Sequence, residues 1–326
     1  MNYYYNADEK SFLTREEKKR EIKKLGLYTG AAFVLFIVLQ NLLFVLFEFA
    51  GITKNYLSDP QMQSAVDILL IIPSIMIPFC FFGKKMKKVS RVREPLALDR
   101  PDNMLIYFLA VVSGIGVCMA ANIITSFITV FMEGAGVTLS SPDVAMPGGT
   151  SGIIITFARV VVCATMTEEL CLRGFVMGNL RNYGDRFAIL MSSVMFAAMH
   201  GNLVQAPFAL IAGFAIGYFT VKTGSMWTGI TIHAANNIIS VIITYLIDMF
   251  SEEATALISA AIIYGFIIIG GICFVIFRIK MKNTALTENC KVLSLREKCS
   301  AFMLNPAMLL AMAYMIYITS LYVKIG

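Results

Sequence analysis

Charge is scarce in this chain. Of its 326 residues, 15% are Asp, Glu, Lys or Arg, where a soluble globular protein carries about a quarter. Histidine is scarcer still, with two residues. The seven cysteines are an odd number, and no two stand in a C-x-x-C spacing. That argues against both a disulfide framework and a thiolate zinc site. Strand-type alternation is missing, which excludes a transmembrane barrel. No internal repeat stands out, which weakens a reading as an inverted-repeat transporter. What is abundant is apolar: 58% of the residues are hydrophobic. Disordered, collagen-like and disulfide-scaffold classes are excluded by the same composition. The chain reads as an all-α, polytopic membrane protein, and its length counts spans rather than globular domains.

Charges, glycines and prolines mark off nine apolar runs: 27–50, 65–83, 104–131, 152–167, 187–199, 203–221, 226–250, 254–277 and 301–323. Most reach the roughly 20 residues a helix needs to cross the hydrocarbon core. The fourth continues through a charged stretch to about Leu180, and the fifth is short outright. The pattern therefore predicts a transmembrane helical bundle of eight to nine spans, eight plus a partial one if the fifth stops short. The first run is too long for a signal-peptide core and no A-x-A-like site follows it, so it is expected to remain as an anchor. Four stretches follow: a basic segment 1–26, N-terminal helices 27–150, a polar-bearing core 151–250 and C-terminal helices 251–326.

Alternating sides from a cytoplasmic N-terminus puts 23 Lys and Arg residues inside, among them Lys10, Lys84, Lys87, Arg93 and Lys222. Only Lys54 and Lys324 fall outside. The split follows the positive-inside rule. It makes the net charge of +6 a topology signal rather than a nucleic-acid signal, with the lipid bilayer as the expected partner. The expected location is the plasma membrane.

Ionisable groups in the membrane are costly and tend to be functional. Glu48, Asp67 and Asp248 sit near outer span ends and read as structural. A deeper set lies within 159–237. Glu169 and Arg173 are neighbours at i,i+4, acid before base, the better order. Glu168 points about 100° away, which leaves it free as a general-base candidate. Arg159 has no evident partner. Phe196 and His200 share one helix face. His233 and Asn237 lie one turn apart on another, after the turn Thr223-Gly224-Ser225-Met226-Trp227. Each pattern alone has a bland reading: a salt-bridged helix end, a packing histidine, interhelical hydrogen-bond glue. Together they place both histidines, a carboxylate pair and an Asn pair within 70 residues on three helices. That points to one shared catalytic or ligand site.

Glu168-Glu169-x-x-x-Arg173, Phe196-x-x-x-His200 and His233-x-x-x-Asn237, in that order, resemble the three motifs of the CAAX-protease and bacteriocin-processing (CPBP) family of intramembrane endopeptidases. The resemblance covers roughly 152–245. It implies peptide-bond hydrolysis inside a membrane cavity, with Glu168 and His200 activating a water. His233 and Asn237 would form the oxyanion hole, and Glu169 and Arg173 would support the site. It further implies a peptide or protein substrate that is lipidated in the CAAX case. Alternatives from other classes are a non-catalytic role in bacteriocin self-immunity or partner binding, and a proton-coupled transporter.

Metal use divides into two expectations. Glu168, His200 and His233 would be the ligands of a catalytic zinc with water in the fourth position. The H-E-x-x-H helix of zincins is absent, however, and a His233 committed to an oxyanion leaves two strong ligands. Metal-free water activation is therefore favoured, with no cofactor. One geometric difficulty stands: a straight fifth helix from Arg186 carries His200 about 21 Å along its axis. A re-entrant stretch at 179–185 or a strong tilt, with close packing at Gly213-x-x-x-Gly217, would resolve it.

Overall fold

The structure is a computed structural model and describes residues 13–56, 58–92, 98–142, 146–282 and 284–325. Lys10, Arg93 and the side chain of Asp248 lie outside the described residues. Helix α1 spans Arg15–Phe49. It begins well before its apolar run because Thr14 and Glu17 form a capping box, each side chain bonding the other's backbone N–H. Helix α2 is Pro60–Ser90, capped by Asp59, and α3 is Met104–Gly134, capped by Asn103. Helix α4 runs through Gly149–Tyr183. Helices α5 (Asp185–Met199), α6 (Ala206–Thr223), α7 (Met226–Met249) and α8 (Glu252–Lys280) follow. Helices α9 (Leu295–Met303) and α10 (Pro306–Leu321) complete the bundle. Strands β1 (Val137–Leu139) and β2 (Val323–Ile325) pair antiparallel, Thr138 opposite Lys324.

Seven helices are long and apolar enough to cross a membrane, and the α9–α10 pair makes an eighth if counted as one broken span. Helix α5 has 15 residues and falls short of the roughly 20 required. Among the described residues the all-α polytopic bundle thus has seven candidate spans, or eight with the broken pair, and the short α5 beside them. The run 301–323, read above as a single span, is in fact split. Asn305 accepts from the Met308 N–H as the cap of α10, Pro306 opens that helix, and the two axes bend by 81°.

Helices α4 and α5 form a hairpin with a single turn residue, Gly184, at φ 127°, a backbone conformation that glycine adopts without a Cβ clash. This turn lies at the end of the bundle that gathers the basic segments. Tyr183 donates to Glu21 on α1 at 2.7 Å, and Asn182 donates to the Ser90 carbonyl of α2 at 2.6 Å. The Asp185 carboxylate accepts from the Thr287 N–H and hydroxyl, and Lys222 bonds the Thr284 carbonyl. Helix α5 rises from there and is pressed against α6. A Cβ on Gly213 would come within 3.1 Å of Ser193, and one on Gly217 within 3.2 Å of Ile189. The expected close approach at that glycine pair is therefore present, and it lets short α5 sit inside the bundle.

Two apolar clusters flank the polar set. One joins Phe33, Phe79, Leu172, Phe187 and Phe302, from α1, α2, α4, α5 and α9. The other joins Ile115, Ile216, Phe219, Ile232 and Phe277, from α3, α6, α7 and α8. Beyond them lie large apolar side chains such as Phe131, Ile268 and Ile316, each over 60% exposed, the outward face expected against lipid.

Candidate active site

Helix α4 is not a uniform α-helix. Glu168 and Glu169 stand on a five-residue α-helical stretch, Thr165–Glu169, between π-helical stretches Phe157–Ala164 and Leu170–Met177. Such turns are rare and concentrate at functional sites. Helix α7 is anchored at its start. Ser225 donates to the Asp99 carbonyl at 2.7 Å, and Trp227 donates its indole N–H to the Leu98 carbonyl at 2.9 Å. From that anchor His233 reaches the acidic pair.

The three motifs meet. His233 Nδ1 lies 2.8 Å from Glu169 Oε1, and His233 Nε2 lies 3.7 Å from Glu168 Oε2. A carboxylate only accepts, so the Nδ1–H donates to Glu169 and directs Nε2 toward Glu168. Arg173 Nη1 is 3.1 Å from the same Glu169 Oε1. That contact lacks hydrogen-bond geometry, so it acts as a charge pair. Glu169 and Arg173 are wholly buried, while the Glu168 side chain keeps 17% exposure. The division expected from the sequence, Glu169 bound to Arg173 and Glu168 free of it, is what the side chains adopt.

His200 sits just past the end of α5. Its Nδ1 is 2.8 Å from the Phe196 carbonyl, an acceptor, so the proton lies on Nδ1 and Nε2 presents a lone pair. The His200 ring packs edge-on with Phe196 at 4.9 Å, and His233 packs on the same ring at 5.5 Å. Asn202, 1% exposed, donates to the His200 carbonyl at 2.8 Å and accepts from the Gln205 N–H at 2.9 Å. It locks the turn that ends α5 and starts α6. Asn202 was not singled out from sequence. An amide two residues beyond a membrane histidine was the available signal.

Asn237 behaves otherwise than expected. Its amide nitrogen donates to the Val160 carbonyl at 2.9 Å and to Thr165 Oγ1 at 3.1 Å. A side-chain amide has two hydrogens, and both are used on α4. Arg159, without a partner on sequence grounds, is paired: Nη1 lies 2.8 Å from Asp67 Oδ2, and Tyr56 donates to Asp67 Oδ1 at 2.9 Å.

Among the described residues no group of three or more His, Cys, Asp or Glu side chains is arranged to hold a metal ion. Glu168 and His233 face each other, and the bonds made by His233 Nδ1 to Glu169 and by His200 Nδ1 to a carbonyl leave Nε2 open on both rings.

The family model described as type II CAAX prenyl endopeptidase Rce1-like matches residues 150–239. Those residues form an Rce1-like segment. It holds every residue of the convergent site, from Glu168 through Asn237, and its likeness is to the CPBP group of membrane proteases. No curated protein and no solved structure matches the chain. The Rce1-like segment is built mainly from α4, α5, α6 and the first half of α7, the helices that surround Glu168.

Proposed function

We propose that the protein is an intramembrane endopeptidase whose water is activated by Glu168 and His200 without a metal. The observation that carries this reading is the 3.7 Å separation of Glu168 Oε2 and His233 Nε2, which one water molecule spans at hydrogen-bond distance from both. The Rce1-like match of the surrounding segment supports the choice of peptide bonds as the target.

The steps balance without an added reagent. Glu168 takes a proton from the water, and the lone pair on His200 Nε2 orients it by accepting its other hydrogen. The resulting hydroxide attacks the scissile carbonyl. Protonated His233, held by Glu169 through Nδ1, directs its Nε2–H at the developing oxyanion. Collapse breaks the C–N bond as Glu168 passes its proton to the leaving nitrogen, giving a carboxylic acid and an amine, and the acid then gives its proton to the amine. Two carboxylates, one guanidinium and one imidazolium leave the buried set neutral, which low-dielectric surroundings favour. The substrate is a membrane-associated peptide or protein, and a prenylated C-a-a-X terminus is the form the family match favours.

The test is hydrolysis of lipidated and unlipidated peptides by the protein in liposomes. Glu168→Gln and His200→Ala are each expected to lower kcat by 10²-fold or more, roughly the share of general-base catalysis. Turnover equal to the parent in both variants would remove these two residues from the chemistry.

A further inference from the structure

One side chain that belongs to none of the proposed chemical steps touches the two histidines that do and the arginine that pairs with Glu169. Phe196 is 2% exposed. The Arg173 guanidinium carbon lies 4.5 Å from its ring centroid. The His200 ring lies at 4.9 Å with planes at 82°, and the His233 ring at 5.5 Å with planes at 73°. The Phe196 carbonyl also accepts from His200 Nδ1. We infer that Phe196 is a positioning residue, its ring fixing Arg173, His200 and His233 relative to one another. The inference deepens the peptidase reading and rests on it for the kinetic part of its test.

Arg173 gives the physical reason. It is 1% exposed, and among the described residues none of its guanidinium nitrogens has a partner in hydrogen-bond geometry. A buried guanidinium needs compensation. Glu169 Oε1 at 3.1 Å supplies charge from one side, and the negative face of Phe196 supplies it from another. Without the ring, the guanidinium is free to rotate toward other acceptors. Glu169 would follow it and release His233 Nδ1. Phe196 thus acts on His233 twice, through ring contact and through Arg173 and Glu169. It acts on His200 by ring contact and by its own carbonyl. A leucine fills most of the same volume but offers no negative face to a cation.

The chain contains two histidines, so selective isotope labelling of histidine gives two sets of imidazole NMR signals in lipid nanodiscs. In the parent both sets should be displaced by the Phe196 ring current. In Phe196→Leu both should lose that displacement and broaden, and kcat should fall by about 10²-fold, the effect of an ångström-scale misplacement, with KM changed less than twofold. Trifluorophenylalanine at position 196 keeps the shape and weakens the negative face. It should retain folding and lower kcat by an intermediate factor. This variant keeps the test decisive if Phe196→Leu does not fold. Unchanged imidazole signals in Phe196→Leu, or full kcat with the fluorinated residue, would overturn the inference. A parent without peptidase activity whose imidazole signals respond as described would support the positioning role and count against the peptidase reading alone.

Discussion

Asn237 gives its side-chain amide to the Val160 carbonyl, 2.9 Å away across the α4–α7 contact. Its second hydrogen goes to Thr165 Oγ1 at 3.1 Å. The two acceptors bracket the junction where a π-helical stretch gives way to the α-helical turn bearing Glu168. Asn237 is therefore placed to pin that junction, and with both hydrogens used it is not placed to meet an oxyanion. Asn237→Ala should lower stability by about 1–3 kcal/mol, and Thr165→Val by about 1 kcal/mol. Thermal unfolding in detergent measures both. Unchanged thermal stability in Asn237→Ala with turnover abolished would return Asn237 to the oxyanion role.

Gly229 lies where α7 crosses α6 beside the buried acid. A Cβ there would sit 2.5 Å from Thr220 Oγ1 and 3.2 Å from Glu169 Oε2. Gly229→Ala should therefore cost about 1–3 kcal/mol through overpacking. It should also lower turnover, because Glu169 must shift. Thr220→Ala removes the closer obstacle, so the double variant should recover part of the loss. A double-mutant cycle on unfolding midpoints should give a coupling of about 0.5–3 kcal/mol. Strict additivity would show that the two positions do not meet.

Much of this arrangement could be read before any coordinates. The apolar runs gave the spans because a helix in lipid must be long and apolar. The i,i+4 spacing gave the Glu169–Arg173 pair because neighbours on one turn meet. Pairings between helices were not legible. Arg159 and Asp67 are 92 positions apart, and nothing local in either sequence names the other. The π-helical stretches in α4 were also hidden. Their side-chain composition is ordinary, and the wider turn shows only in the backbone. The role assigned to Asn237 followed from resemblance, and its actual acceptors, Val160 and Thr165, depend on how α7 lies against α4.

The Asp67–Arg159 pair joins α2 to the helix of Glu168. The Arg159 side chain is 6% exposed and that of Asp67 18%. Removing one member of a buried pair costs about 3–5 kcal/mol, and the partial exposure of Asp67 puts the expected value at the lower end. Asp67→Leu with Arg159→Leu should restore much of what Asp67→Leu alone loses. Tyr56 adds a pH signature. Burial, with the Asp67 charge beside it, pushes its hydroxyl up to about 12. An unfolded tyrosine titrates near 10, so above that pH the folded chain holds the proton that the unfolded chain has lost. The contribution of Tyr56 is therefore full below about pH 10 and declines as pH rises toward 12. Tyr56→Phe should flatten the fall of the unfolding midpoint over that window. An identical pH profile in parent and variant would contradict the assignment.

Chelation tests the donor geometry directly. A catalytic zinc needs three protein ligands converging on one point. His233 and His200 are each held through Nδ1, by Glu169 and by the Phe196 carbonyl, which leaves Nε2 open on both rings, and among the described residues no three such side chains converge. If Glu168 and His200 activate the water unaided, prolonged dialysis against a strong chelator should leave kcat within about twofold of the untreated protein, far from the loss of 10-fold or more that even an outer-shell defect causes in a metal site. Metal content measured on the same sample should be well below one ion per chain. Activity that vanishes on chelation and returns with added zinc would mean that the site rearranges to bring a third ligand in, and the metal-free mechanism would be wrong.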